Sequence, residues 1–229
     1  MRLVTYSLAI ALACAPMYAK TDKEKNADRL DDAASLFSEI MGTPDKSIPQ
    51  DLLNKAHCIV LVPGLKKGAF GFGGKFGRGF ALCRPSSGQG WGPPAAVRVE
   101  GGSFGLQIGI SSSDVILLVM NERGMKKLMS SKFTLGAEAT AAAGPVGRDA
   151  TAQTDALLTA EILSWSRSKG LFAGVSLDGA TLRDEIDENQ IMYNQRWHNN
   201  QILTSGAKPP AAAEKLLSIL NKYSSRKTN

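Results

Sequence analysis

The chain has 229 residues, enough for one sizeable domain, and a formal net charge of +6 with only 21% charged residues. An excess this mild suits an acidic surface such as phospholipid, and it would suit nucleic acid only if the basic residues were clustered, so no nucleic acid is expected as a partner. The two histidines, His57 and His198, lie far apart and away from any cysteine at ligand spacing, so we expect no metal and no cofactor.

The first 19 residues resemble an export signal. Arg2 is followed by an apolar run over residues 3–13 and a small-residue exit at 17–19. A second exit stays open, because the segment 11–14 resembles a lipoprotein box in which Cys14 becomes the lipidated first residue. A membrane anchor or a buried N-terminal helix is the alternative. We therefore expect an exported protein, periplasmic or associated with the cell envelope, with or without a lipid anchor.

A charged linker is expected over 20–26, followed by an amphipathic helix that ends at residues 42–44. The apolar residues of this helix recur at helical spacing, whereas its polar face is acidic. A helix that lies on a membrane would prefer lysine and arginine on that face. The pattern therefore favours packing against the core of the domain.

Residues 69–83 alternate with a period of two, which predicts a strand with one aromatic face and one face of glycine and other small residues. Repeated glycine on one face indicates that another backbone or a ligand comes very close, or that the sheet coils sharply. Cys58 and Cys83 flank this region in apolar strand contexts. They could pair in an oxidising compartment, although a buried unpaired cysteine is the commoner outcome.

The remaining elements continue this pattern. We expect helices at 49–56, 121–130, 181–193 and 211–223, and strands at 58–62, 103–111, 115–120, 133–140, 162–166 and 171–177. The expected fold class is α+β, with a strongly curved or partly closed antiparallel sheet of glycine-rich strands flanked by helices.

Several motifs occur in an order that is more specific than any one of them. They are LVPG at 61–64, KKGAFG at 66–71, GKFGRG at 74–79, GGSFGLQIG at 101–109, AGPVGR at 143–148, SKGLFAGVSLDG at 168–179, and DEN at 187–189 with Tyr193 following. In this order the chain resembles the SYLF domain family, also known as the actin-binding domain of certain yeast endocytic proteins. The resemblance places the domain at 27–195, with a C-terminal linker and helix at 196–229.

The resemblance implies a non-enzymatic domain that binds lipid. Eukaryotic members bind phosphoinositides, and some yeast members bind and bundle actin. This chain departs from them in its signal-like leader and its acidic first helix, and it is closer to exported bacterial members. The expected function is recognition of anionic phospholipid or phosphoinositide-like head groups at a membrane surface. The alternative is a structural or protein-binding cell-envelope protein.

Six basic residues are candidates for the head-group site: Lys66, Lys67, Lys75, Arg78, Arg148 and Lys169. Glycines beside them leave backbone N–H groups approachable by an anion. The alternative is a solvated sheet edge whose lysines discourage aggregation. By strand parity, Lys75 and Arg78 lie on opposite faces unless a bulge intervenes.

Enzyme signatures are not found in the sequence. The glycine-rich stretch matches no dinucleotide or Walker pattern. No G-x-S-x-G nucleophile elbow is expected either, because the string GGSFG at 101–105 lies in an alternating strand pattern and not at a turn from a strand into a helix. Near the end of the domain, Asp187, Asn189 and Tyr193 share one predicted helix. We interpret them as a buried polar lock for the sheet in preference to a catalytic group.

Overall fold

A computed structural model describes residues 20–43, 47–70, 72–104, 109–147, 159–168, 171–174 and 177–224. The predictions for the leader, Cys14, Arg148 and Lys169 lie outside these residues.

The described strands form one strongly curved sheet that is antiparallel except for one pair, which confirms the expected fold class. The strand order is β5-β9-β3-β2-β1-β4-β7-β6, with β8 pairing beside β7, and only β6 and β7 are parallel. The strands are β1 (Cys58–Phe70), β2 (Phe72–Cys83), β3 (Ala95–Phe104), β4 (Gly109–Val119), β5 (Lys132–Thr134), β6 (Ala141–Ala143), β7 (Ile162–Ser168), β8 (Leu171–Gly174) and β9 (Thr181–Asp184).

Helices flank this sheet. They are α1 (Asp22–Gly42), α2 (Gln50–Lys55), α3 (Glu122–Leu128), α4 (Ile186–Tyr193), α5 (Asn199–Ser205) and α6 (Glu214–Tyr223), with a 3₁₀ turn (Ala211–Ala213) before α6. Helix α1 begins inside the segment expected to be a linker, because Thr21 and Glu24 form a capping box that satisfies free backbone N–H groups. Asn121 caps the helix predicted over 121–130, since its side chain accepts a hydrogen bond from the Gly124 N–H at the start of α3.

Both faces of the sheet are buried. Helices α1, α2 and α6 cover one face, which we call the helix face. The apolar side chains of α1 are almost wholly buried there, as expected for core packing: Leu30, Ala33, Ala34, Phe37 and Ile40. The other face is covered by side chains of α3, β5, β9 and α5: Leu128, Phe133, Leu182, Ile202 and Leu203. Neither the apolar stripe of α1 nor the centre of the sheet is therefore available to a ligand.

Three expected elements differ from the structure. The strand predicted over 69–83 is divided, since β1 ends at Phe70 and pairs back on β2 from Phe72. The strand predicted over 103–111 is likewise divided between β3 and β4. In both cases the alternation of glycine and apolar residues continues from one strand into the next, so the sequence periodicity contains no break. Only Lys132–Thr134 forms a strand in the segment 133–140, and an isolated bridge follows it.

The helix predicted over 181–193 is also partly wrong. Its first four residues form β9, which pairs with both β3 and β5, and the helix begins only at Ile186. Leu182 is buried in the core through this pairing. The tertiary partners thus override the local preference of a short segment.

Cys58 and Cys83 form a disulfide, with their sulfur atoms 2.01 Å apart. The commoner outcome expected from sequence, two buried free thiols, is therefore wrong. The register of β1 on β2 places these two residues directly opposite each other. Cross-strand neighbours have Cβ atoms about 4.5–5.5 Å apart, which brings two thiols within bonding reach.

The glycine face of β2 accommodates a neighbouring backbone, which is one of the explanations expected from sequence. The register of β1 on β2 shifts between Leu61 and Lys66, so β1 bulges there. A Cβ atom added at Gly79 would lie 2.0 Å from the carbonyl oxygen of Leu61, and one at Gly77 would lie 2.7 Å from Leu65 Cδ1. Glycine is therefore required where the bulge of β1 lies against β2.

Candidate functional site

The candidate site lies where β1 turns into β2, beside the beginning of β4. We call this region the distal edge, and it comprises residues 66–70 of β1, 72–76 of β2 and 109–113 of β4. Lys67 lies directly opposite Lys75, and Lys66 lies between Phe76 of β2 and Ser112 of β4. Three of the six basic residues expected at the site are therefore brought together.

The three lysines do not share one face of the sheet. Lys67 and Lys75 are a cross-strand pair, so they lie on the same face. Lys66 is the chain neighbour of Lys67 and lies on the helix face. Residues on opposite faces of the sheet can contact one common surface only when the ends of these strands point towards that surface.

The lysine pair forms no ion pair with a carboxylate of the described residues. None of the three lysines has a salt bridge within the described residues. Burial lowers the pKa of Lys75 below its ordinary value, the charge of Lys67 lowers it further, and Asp178 partly opposes both effects. Two like charges directly opposite each other destabilise a sheet. Within the described residues, the distal edge therefore holds positive charge that no ion pair compensates.

We expect Lys75→Gln to stabilise the isolated protein by up to about 1 kcal/mol at pH 7, because it removes a like-charge pair. A lysine whose pKa is lowered by folding destabilises the protein while charged. The gain should therefore shrink as the pH approaches the ordinary lysine pKa of about 10.4, where about half of the unfolded chains have lost this charge, and vanish above it. Urea unfolding at pH 7 and pH 10.5 measures it, with Lys126→Gln on exposed α3 as the control. Equal stabilisation at both pH values would contradict this electrostatic origin.

Arg78 lies in a different environment from the lysines. Its Nη1 lies 3.1 Å from Glu188, and its Nε lies 3.6 Å from Glu185. The same two carboxylates also pair with Arg29 of α1 at 3.2 Å and Arg98 of β3 at 3.0 Å. Arg78 shares the helix face with Lys66, and no bulge in β2 changes its parity relative to Lys75. Arg78 is therefore part of an ion-pair network that connects the sheet with α1 and α4.

Two large apolar side chains are exposed at the distal edge. Ile110 is 90% exposed and lies opposite Gly68, while Phe76 is 46% exposed and lies opposite Lys66. The alternation in the sequence does not predict this exposure, because it distinguishes the two faces of a strand without showing which part of a face is covered.

The polar lock predicted on α4 is confirmed for Asn189 and Tyr193 but wrong for Asp187, whose side chain is 82% exposed and pairs with Arg196. Asn189 is fully buried, accepts a hydrogen bond from the Ala96 N–H at 2.8 Å, and donates to Trp197 O at 3.0 Å and Asn199 Oδ1 at 2.9 Å. The Tyr193 hydroxyl donates to Pro94 O at 2.6 Å. These contacts tie α4 to the beginning of β3. Burial raises the pKa of Tyr193 above its ordinary range.

The described part of the chain contains neither a metal-binding cluster nor a membrane-spanning helix. No group of three or more His, Cys, Asp or Glu side chains there could hold a metal ion. No helix there combines the length and the apolar character needed to cross a bilayer.

Comparison with known proteins gives consistent results. The family model of Ysc84, described as Las17-binding protein actin regulator, matches residues 100–223, more than half of the chain. SH3 domain-containing YSC84-like protein 1 of Rattus norvegicus is 31% identical over 92% of this chain and 61% of the relative. LAS seventeen-binding protein 3 of Saccharomyces cerevisiae is 32% identical over 77% of this chain and 39% of the relative. The chain spans less than two thirds of each relative.

Proposed function

This chain belongs to the Ysc84 family of Las17-binding actin regulators, and we propose that it is a non-enzymatic protein that binds anionic phospholipid at a membrane surface. The observation that supports this proposal is the lysine pair of the distal edge. Lys67 and Lys75 oppose each other without a compensating carboxylate ion pair within the described residues, and Lys66 adjoins them.

The energetics favour an anionic surface as the partner. A phosphate near Lys67 and Lys75 would replace their mutual repulsion with two attractive contacts. Each lysine near an anionic membrane contributes about 1 kcal/mol, so three contribute about 3 kcal/mol, equivalent to a hundredfold or more in affinity. Salt should weaken this binding, because charges that are further apart than the Debye length, about 10 Å at 0.1 M, are largely screened from each other.

The test is vesicle co-sedimentation of a variant in which Lys66, Lys67 and Lys75 are all changed to glutamine. On vesicles rich in phosphatidylglycerol at low salt, we expect this variant to bind about a hundredfold more weakly than the parent protein. The matched control changes Lys126, Lys127 and Lys132 to glutamine, which removes the same charge from α3 and β5. Equal losses in the two variants would indicate net charge alone and would overturn the assignment of the distal edge.

We also propose that the protein is exported. The leader composition supports this, and so does the disulfide between Cys58 and Cys83, because disulfides persist in oxidising compartments. Mass spectrometry of the protein from its host should find a chain that begins at Lys20 or a lipidated Cys14. Labelling with palmitate distinguishes the two, and an intact leader on cytosolic protein would contradict export.

The relatives provide a second candidate, a protein partner. The family is described by Las17 binding and actin regulation, and a partner with an acidic surface could contact the same lysines. Co-sedimentation with filamentous actin tests this with the same two triple variants. Binding to actin that depends on the distal edge, without any binding to anionic vesicles, would favour the protein partner over the membrane.

A further inference from the structure

We propose that the distal edge penetrates the membrane surface, with Ile110 entering the interface and the lysines remaining at the head groups. This inference rests on the proposed membrane binding and adds an orientation and a depth to it. It begins from the two large apolar side chains that the fold leaves exposed beside the lysines, Ile110 and Phe76.

The arrangement of the faces determines the orientation. Lys66 lies on the helix face, and Lys67 and Lys75 lie on the other. A single phosphate could not contact both faces of a sheet, whereas a bilayer surface can do so when the edge is presented to it. The positive charge on both sides therefore complements an extended anionic surface.

Strand geometry determines the depth. Ile110 lies in the register row of Gly68, two residues beyond Lys66, which is about 7 Å along the strand. Phe70, the last residue of β1, lies three residues beyond Lys67, or about 10 Å. Proteins that bind at the membrane interface bury their apolar surface about 5–10 Å into the boundary between head groups and acyl chains. With the lysines at the phosphates, Ile110 lies at this depth.

Among the described residues, the glycines beside Ile110 leave this approach open. An added Cβ atom at Gly68, Gly74 or Gly102 would meet nothing within 4 Å, so the sheet surface beside Ile110 is bare. Strand β7 runs antiparallel to β4, so its C-terminal end lies at the same end of the sheet as the distal edge. Leu171 of β8 pairs with this end of β7 and is 61% exposed, so it is a third exposed apolar side chain on the same side of the protein.

The experiment places a tryptophan at the proposed depth. Ile110→Trp is compared with Ser86→Trp, which lies in the exposed loop between β2 and β3 at the opposite end of these strands. Both are mixed with phosphatidylglycerol vesicles that carry brominated acyl chains. We expect several-fold stronger bromine quenching of the tryptophan at 110 than of the one at 86, after subtraction of the emission of the parent protein. We also expect Ile110→Ser to weaken vesicle binding about tenfold with all three lysines intact.

The outcomes separate this inference from the proposed function. Binding that depends on the three lysines without quenching at position 110 overturns penetration and leaves the membrane function standing. If the protein does not bind freely, a histidine-tagged form is tethered to brominated vesicles through a nickel-chelating lipid. Quenching at position 110 in the tethered form supports penetration, and its absence overturns it. A blue shift at 110 that grows with protein concentration without vesicles would show that a second copy covers the edge, which also overturns the proposal.

Discussion

Replacing Gly79 by alanine is expected to lower the free energy of unfolding by about 3 kcal/mol or more. The added Cβ atom would lie 2.0 Å from the carbonyl oxygen of Leu61 and 2.8 Å from Val62 Cα. Both atoms belong to the backbone of β1, which is held on its other side by β4 and cannot withdraw cheaply. The strand pairing that leads to the distal edge would be strained. Urea unfolding followed by circular dichroism measures the loss.

Gly74→Ala provides the matched control in the same strand. A Cβ atom at Gly74 would meet nothing within 4 Å, so we expect stability to change by no more than about 0.5 kcal/mol. Equal effects at the two positions would show that alanine acts through the general properties of a strand. In that case the close approach of β1 to Gly79 would not be the reason for the glycine face.

The second large effect is expected at Asn189. Changing it to alanine leaves the Ala96 N–H, the Trp197 carbonyl and the Asn199 side chain without the partners they have in the buried lock. Each unsatisfied buried polar group costs about 1–3 kcal/mol, so we expect a loss of about 3–5 kcal/mol in the free energy of unfolding. Thermal or urea unfolding measures it.

Two further variants show whether hydrogen bonding is responsible. Asn189→Asp keeps an acceptor for the Ala96 N–H but loses both donated hydrogen bonds, so it should also be strongly destabilised. Gln190→Ala, on the exposed side of the same helix, should change stability by no more than about 0.5 kcal/mol. A small effect of both changes at Asn189 would contradict the polar lock.

Much of the fold could be predicted because its signals are local. The apolar repeat from Leu30 to Met41 predicts α1, and Asn121 predicts the beginning of α3. Strand β9 could not be found in this way. It has only four residues, and its partners in β3 and β5 lie far away in the chain. The division between β1 and β2 could not be predicted for a different reason, since both strands continue the same alternation.

The candidate site could likewise be predicted only in part from the sequence. Sequence identifies the basic residues and the parity of Lys75 and Arg78, but their charges have different surroundings. Arg78 is paired because α4 brings Glu185 and Glu188 to it from more than a hundred residues along the chain. Lys67 and Lys75 receive no such partner within the described residues. No property of the sequence near these cations distinguishes the two cases.

The alternation of phenylalanine and glycine by itself determined that this region is a strand with one bare face, because side chains in a strand point to alternate sides. Only the tertiary structure determines which positions on that face are covered by another strand and which are open. Gly77 and Gly79 lie against the bulge of β1, where a side chain would collide with it, whereas Gly74 faces open space near Lys66 and Ile110. The same residue type therefore supports packing at one end of β2 and leaves an open surface at the other, because only three-dimensional contacts determine which positions are covered.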